Sequence, residues 1–395
     1  MTWSTSRLSR VVRINEGLVD PTLPSNSEKL LIAPNHVESG TGRLLSRETV
    51  SEQGASSGKC EVRAGQVVYS KIRPKLMKAT IAPEDCLCSA DMYALEPTAE
   101  VDSTFLMYAL LARPFTDFAV DASMRVAMPK VNRESLAEFS LDHPDLTGQR
   151  IIAAYLDTET ARIDELIAEQ QGLMADLKER RQAVIARMVD WPEWQPVGRR
   201  YSVVLGKMLD GARAARHDDV ELPYLRAANI QDEALQLDSV NSMPFTADER
   251  LKLDLRRNDL LVVEGGAGVA NVQVLSEDMP GWGFQKTLNR VRARRSEANT
   301  RFLAYVIRSL RDSGFIDIVC NKSTIPHLTA EKLSALRVPM PDPQHQERVV
   351  VRLDEETGRI DDLTRECRDL IALLKERRSA LITAAVTGKI DVRGQ

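Results

Sequence analysis

Leu156-Asp-Thr-Glu-Thr-Ala-Arg-Ile-Asp164 and Leu353-Asp-Glu-Glu-Thr-Gly-Arg-Ile-Asp361 are one stretch written twice, 197 residues apart. The same offset joins Leu177-Lys-Glu-Arg-Arg181 to Leu374-Lys-Glu-Arg-Arg378, and from Leu156 to Val189 roughly half the positions repeat without a gap. Two unrelated helices do not share so much, so the chain is an internal duplication. The register extends upstream through Phe105/Phe302, Phe118/Phe315, Pro129/Pro326 and Gln149/Gln346. Before residue 100 it fades and needs small gaps. Asn35 can then be set against Asn229, and Gly65-Gln-Val-Val-Tyr against Asn258-Asp-Leu-Leu-Val. Each half is therefore a variable block followed by a near-identical block.

The near-identical blocks are helical. Leu156, Ile163, Leu166, Leu173, Leu177 and Val184 recur at spacings of three and four, as do Leu353, Ile360, Leu363, Leu370, Leu374 and Leu381. This is a coiled-coil pattern, and no proline interrupts either run. Glu159, Gln170 and Arg180 fall on the first seam, and Glu356, Cys367 and Arg377 on the second. Antiparallel packing sets the Glu159 end against the Arg377 end. Parallel packing would oppose like charges, so an antiparallel pair is expected.

The variable blocks are β-rich. Gln66–Tyr69, Val203–Leu205, Leu260–Val263 and Asn271–Leu275 read as short strands. Phe105–Leu111 and Phe302–Leu310 read as short helices, and Asn132 and Thr329 as N-caps. Prolines mark the joins at Asp142–Asp145, Asp190–Pro196 and Val338–Pro343. The expected fold is α+β. Two domains of mixed sheet with short helices, 1–145 and 191–343, are separated by long helices in 146–190 and 344–395. The helices pack as an antiparallel coiled coil with an internal pseudo-two-fold duplication.

At 395 residues the chain is long for one core. No apolar run reaches membrane-spanning length, the N-terminus carries no secretory pattern, and five cysteines in such a length make no disulfide framework. A cytoplasmic protein is expected. The net charge of −4 argues at first against nucleic acid. By block it is −3 over 1–149, −2 over 150–191, +1 over 192–345 and 0 over 346–395, so local arrangement matters more than the total.

Catalytic patterns are sparse. The five histidines are scattered, and Cys60, Cys86 and Cys88 do not make a zinc pattern. Glu264-Gly-Gly-Ala-Gly-Val-Ala-Asn271 lacks the Lys-Ser/Thr of a P-loop and reads as a glycine turn between strands. The amine-holding motif of amino-methyltransferases is missing. No catalytic residue and no metal ligand is assigned. Basic residues say more: Lys71, Arg73 and Lys75 alternate, with Lys78 close by, and Arg290, Arg292 and Arg294 alternate likewise. Arg125 and Lys130, and Lys322 and His327, precede the two capped helices. The candidate DNA contacts are Lys71, Arg73, Lys75, Lys78, Arg125 and Lys130 in the first half. In the second they are Arg226, Asn229, Gln285, Lys286, Asn289, Asn321 and Lys322. Arg and Lys can pair with phosphate or guanine, and Asn and Gln with adenine.

The chain resembles the specificity (S) subunit of type I restriction-modification systems. The resemblance rests on the duplication, on Val338-Pro-Met-Pro-Asp-Pro-Gln-His-Gln346 running into a long helix, on Leu374-Lys-Glu-Arg-Arg378, and on Ala385-Val-Thr-Gly-Lys-Ile-Asp391. The first copy departs at the last of these, with Met188-Val-Asp-Trp-Pro192. The resemblance implies that each variable block is a target recognition domain reading one half of a bipartite, asymmetric site in double-stranded DNA. It implies that the helices set the spacer and dock two methyltransferase subunits, and that motor-nuclease subunits join them. S-adenosylmethionine, and ATP and Mg for restriction, would belong to those partners, and the chain itself would catalyse nothing. The alternatives are a self-contained methyltransferase or nuclease, and a coiled-coil adaptor that binds proteins only.

Overall fold

The computed structural model describes residues 2–15, 17–123, 129–208, 216–231, 234–266, 268–295, 298–320 and 327–393. The chain forms two compact units, residues 1–171 with 368–395, and residues 172–367. Two long helices, Leu146–Val189 and Pro343–Val386, each contribute a segment to both units. No helix among the described residues is long and apolar enough to cross a membrane.

In the first unit a four-stranded antiparallel sheet has the order Val12–Ile14, Met92–Pro97, Val67–Ser70, Ala79–Ile81. A smaller sheet runs Leu31–Ile32, Cys86–Cys88, Cys60–Val62. The second unit repeats both. Its four-stranded sheet is Tyr201–Leu205, Leu288–Ala293, Leu260–Val263, Val272–Val274, and its smaller one is Asn241–Phe245, Val220–Leu225, Gly283–Phe284. Strands such as Val67–Ser70 and Leu260–Val263 are buried at every position. They lie inside the sheet and are covered by the helices Ser103–Leu111 and Thr300–Asp312. Asn132 caps its helix by accepting the Ser135 N–H, and Thr329 caps the counterpart by accepting the Lys332 N–H.

Each domain is tied to its long helix by the same bonds. The Tyr108 hydroxyl donates to Asp157 (2.7 Å) and lies 3.2 Å from Thr160, as Tyr305 does with Asp354 (2.8 Å) and Thr357 (3.3 Å). Buried Gln149 accepts the Asp102 N–H (2.8 Å) and donates to the Pro144 carbonyl (2.9 Å). Gln346 does so with Asn299 (2.9 Å) and Pro341 (2.8 Å).

The helices pair antiparallel within each unit. In the first, Ile152 and Leu156 share a core with Ile382, Ala385 and Val386. In the second, Ile185 and Val189 pack with Val349, Val350 and Leu353. Two ion pairs fix the register: Asp164 with Arg378 (3.0 Å) in the first unit and Arg181 with Asp361 (3.0 Å) in the second. They are one pair by duplication, since 164 and 361, and 181 and 378, are equivalent positions. The seam differs in detail from the leucine pattern. Leu156, Ile163 and Leu177 are buried, but Leu166, Leu173, Leu363 and Leu370 are 41–47% exposed. Thr160, Ile167 and Met174 fill those inward places, because a 3.6-residue turn carries Leu166 and Leu173 off the contact line. Likewise Arg378 is buried and Arg377 exposed. Gly388 ends the second helix at φ 69°, where a Cβ would come within 2.7 Å of the Trp3 ring.

The alternating arginines of Leu288–Ala293 are internal ties. Arg290 donates to the Asp254 carboxylate (2.9 Å), and Arg292 holds Asp259 through two bonds (2.6 and 2.7 Å) and Asp254 through a third (3.3 Å). Arg294, at the strand's end, donates to the Gly198 and Tyr201 carbonyls. Burial pushes the Asp254 carboxyl up, and Arg256 and Arg292 more than offset this, leaving it below its ordinary value.

The ion pairs differ in how much each should stabilise the fold. Arg378 also donates to the Gly40 and Thr41 carbonyls and has only 6% of its side chain exposed, whereas Arg181 has 25% exposed. Arg378→Ala should therefore cost about 3 kcal/mol in urea denaturation, because it strands the half-buried Gly40 and Thr41 carbonyls and Asp164. Arg181→Ala should cost about 1 kcal/mol or less; equal losses would show that the carbonyl clamp contributes nothing. Asp254→Ala strands buried Arg290 and should cost about 3–5 kcal/mol. The Asp254 contribution is present above the ordinary carboxylate range and is lost as pH falls through its depressed folded value. The wild-type advantage over Asp254→Ala should accordingly shrink in acid.

Candidate nucleic-acid interface

The connection from Val67–Ser70 to Ala79–Ile81 carries Lys71, Arg73, Lys75 and Lys78. They do not alternate along a strand face. Pairing stops at Ser70, and Pro74, which has no N–H for a ladder, opens the 3₁₀ turn Pro74–Leu76. Arg73 (φ 49°) and Met77 (φ 47°) flank that turn in the left-handed region. The loop is still held as a unit. Ile72 bridges Lys130, the Arg73 N–H donates to the Pro129 carbonyl (2.9 Å), and the Val131 N–H donates to the Lys71 carbonyl (2.8 Å). Lys71, Arg73, Lys75 and Lys130 thus gather at one end of the four-stranded sheet. Arg73, Lys75 and Lys130 are exposed. The Lys71 Nζ stands 5.3 Å from the Tyr93 ring centroid. Lys78 is spent internally, its Nζ donating to the Pro34 carbonyl. Arg125 lies outside the described residues.

The second copy of this loop is Glu264–Asn271. Gly266 (φ 87°) stands where the first copy has Arg73, Ala270 (φ 61°) where it has Met77, and Asn258 (φ 67°) where it has Gly65 (φ 82°). The bridge between Gly265 and His327 repeats the one between Ile72 and Lys130. One backbone frame therefore carries two different sets of side chains: four cations in the first copy, an acid and glycines in the second. From sequence, 264–271 reads as a plain turn. Its kinship with 71–78 is a signal that lies a few residues beyond the match of Gly65–Tyr69 with Asn258–Val262.

Around the second loop the remaining candidates separate. The Glu264 N–H donates to the Thr287 carbonyl (2.9 Å), and the Thr287 hydroxyl accepts the Ala227 N–H (3.1 Å). This brings Arg226, Gln285 and Lys286 to the same end. Lys286 is exposed, and Gln285 and Arg226 are half-buried. Arg226 donates to Ser239 (3.3 Å), while its Nε is buried without a partner. Asn229 and Asn289 are no readers. Asn229 is 2% exposed, accepts the Arg226 N–H (2.9 Å) and donates to the Gln236 carbonyl (2.7 Å). Its counterpart in the first copy is buried His36, not Asn35, since each holds the third position of a 3₁₀ turn. Asn289 is fully buried in its strand and donates to the Leu328 carbonyl (2.9 Å). The Asn229 amide is spent on backbone groups that only folding brings to it, whereas Asn289 spends only its N–H in this way, its Oδ1 being buried without a partner. Asn321 and Lys322 lie outside the described residues. No group of three or more His, Cys, Asp or Glu that could hold a metal occurs among the described residues.

Exposed cations with no carboxylate partner among the described residues (Arg73, Lys75 and Lys130 in the first unit, Lys286 in the second), and in the second unit a glycine loop that leaves backbone open, suit phosphates and base edges. The family model of the type I restriction modification DNA specificity domain matches residues 1–171. The specificity subunit of the type I restriction enzyme EcoDI of Escherichia coli is 36% identical over 185 residues, 47% of this chain and 41% of that protein. That match thus spans less than half of the relative's length. The StySPI specificity subunit of Salmonella potsdam is 22% identical over 79% of this chain and 70% of its own. Among solved structures, a chain from a study of assembly and conformational transition in a type I R-M system aligns with TM-score 0.77 and 20% identity, covering 98% of both chains. The HsdS subunit from Thermoanaerobacter tengcongensis aligns with TM-score 0.53 and 19% identity over 98% and 97%. Residues 1–171 thus match the type I restriction modification DNA specificity domain, and the chain as a whole resembles type I specificity subunits and shares their fold.

Proposed function

We propose that the chain is the DNA sequence-recognition subunit of a type I restriction-modification complex, acting in the cytoplasm and catalysing nothing itself. The observation that carries this reading is the loop pair 71–78 and 264–271, one frame with two sets of side chains. A duplicated reader with divergent tips suits a bipartite, asymmetric site in which each domain reads one half. The contacts are Lys71, Arg73, Lys75 and Lys130 in the first domain, and Arg226, Gln285, Lys286, His327 and the open backbone of Gly265–Gly266 in the second. The long helices set the gap between the half-sites. Each has 44 residues, about 66 Å at 1.5 Å per residue, against about 34 Å for a turn of DNA. Leu166 and Leu173, with their counterparts Leu363 and Leu370, leave matched apolar sites exposed on the two helices. Two copies of one methyltransferase subunit would dock there. S-adenosylmethionine would enter with those subunits, and ATP and Mg with motor-nuclease subunits.

The decisive experiment is genome-wide methylation mapping with and without this chain beside its methyltransferase subunit. A two-part methylated site should appear only when both are present, and methyl transfer by the purified chain alone would favour a self-contained enzyme. One heptad added to each long helix should lengthen the gap and leave both half-sites unchanged. Arg73→Gly separates folding from binding. It should leave stability level or raise it by about 1 kcal/mol, because glycine suits the left-handed backbone. It should weaken DNA binding and make the slope of log affinity against log salt shallower by about one. A loss confined to one base position would instead make Arg73 a base reader.

A further inference from the structure

The second unit has a basic recess that the DNA-reading loops do not use. It measures about 560 Å³ and is lined by Arg256, Arg257, Arg292, Arg295, Arg301 and Glu347. It opens beside Asn258, whereas the loop Glu264–Asn271 follows the other end of the strand Leu260–Val263. Three of the arginines are neutralised locally: Arg256 and Arg292 by Asp254 and Asp259, and Arg301 by Asp354. Glu347 accepts the Asn299 side-chain amide (2.8 Å). Arg257 and Arg295 are exposed, and no ion pair or hydrogen bond engages either guanidinium among the described residues. The helices Thr300–Asp312 and Pro343–Val386 also begin at this wall, so their N-terminal dipole ends add to the positive field.

The first copy provides an internal control. Where the second has Arg257, Arg292, Arg295 and Arg301, the first has Ala64, Glu96, Ala99 and Thr104. Its remaining charges cancel in pairs, Arg63 with Glu96 and Arg150 with Asp102, both at 3.9 Å. Arg292 and Arg301 are tied into the second unit by Asp254, Asp259 and Asp354, but the side chains of Arg257 and Arg295 tie nothing among the described residues, and the first copy folds with Ala64 and Ala99 in their places. The four stand in one copy only, and Arg257 and Arg295 have no counter-charge among the described residues.

We propose that this recess binds phosphate, with the DNA backbone as its source. Guanidinium forks match phosphate oxygens in pairs, and an open cleft suits a phosphodiester strand running through it. The recess then supplies a sequence-independent contact, made by the second domain alone, which adds affinity without reading bases. The carrier of the phosphate rests on the DNA-binding reading above; the phosphate chemistry does not.

The test uses the full chain and the double variant Arg257→Ala/Arg295→Ala, whose unpaired exposed side chains should leave thermal unfolding unchanged. Titration calorimetry with inorganic tripolyphosphate should show binding to wild type and none to the variant. For duplex DNA of any sequence, the log affinity against log salt slope should become shallower by about two, near 0.9 for each phosphate no longer neutralised. Arg162→Ala/Arg365→Ala removes two exposed charges from the long helices and should leave both readouts unaltered. Loss of tripolyphosphate binding with an unchanged DNA slope would keep the site and name a free phosphate as its source. An unchanged slope together with no tripolyphosphate binding by wild type would overturn the proposal, as would equal effects in the control variant. Absence of sequence preference in wild type would overturn the recognition reading and leave the recess standing.

Discussion

The pair formed by Asp164 with Arg378, and again by Arg181 with Asp361, is the constraint on which the architecture depends. A duplicated helix carries the same acid and the same base in both copies. Packed parallel, it would oppose acid to acid and base to base. Packed antiparallel, each acid meets the other copy's base, and every contact is made twice. One short sequence, selected once, therefore fixes the register in both units. The two occurrences are not equal in strength. Arg378 is closed over by the Gly40 and Thr41 carbonyls, while Arg181 stays partly solvated. Divergence in the variable blocks has altered the surroundings of the pair without altering the pair.

Strength at the base of each domain permits variation at its tip. Tyr108 and Gln149, and their copies Tyr305 and Gln346, lock each domain onto its helix through buried hydrogen bonds. These groups tolerate little change, because an unmatched buried polar atom costs about 1–3 kcal/mol. The loops 71–78 and 264–271 lie past the ends of buried strands and are held by main-chain bonds to 129–131 and 327–328. Main-chain bonds do not depend on side-chain identity. The loop can exchange Arg73 for Gly266, or Met77 for Ala270, and keep its path. A scaffold of this kind lets a reading surface evolve without refolding the reader.

The duplication, the helices, their antiparallel sense and the short strands are legible in the chain because periodicity and repetition are local signals. Side-chain destinations are legible only in part. Leu166 and Leu173 satisfy a spacing of three and four yet turn outward, since several phases fit so short a pattern and only the partner helix selects one. Arg290 and Arg292 read as an exposed basic face because Asp254 and Asp259 are more than thirty residues away in sequence. Asn229 and Asn289 read as base contacts because their carbonyl partners have no sequence signature. Pro74 is the exception. It stands in plain view and, having no N–H for a ladder, weighs against a strand through Lys71–Lys75.

These corrections sharpen the meaning of an acidic total. A net charge of −4 counts every cation alike, but folding sorts them. Arg290, Arg292, Arg294 and Arg378 are consumed by carboxylates and carbonyls and hold the protein together. Lys78 is consumed by a single carbonyl. Arg73, Lys75, Lys130 and Lys286 remain exposed with their charges uncommitted, and so do Arg257 and Arg295. An attractive field for DNA needs only such uncommitted cations, grouped where acids are spent elsewhere. Other exposed cations, Arg7, Arg10, Arg13, Lys178 and Arg377 among them, are also without an ion pair among the described residues, so grouping and not number distinguishes the loop, and the net charge of −4 makes the surface as a whole repel a polyanion weakly. On the proposed reading, the chain should therefore hold DNA loosely by itself and firmly once the proposed partner subunits close around it.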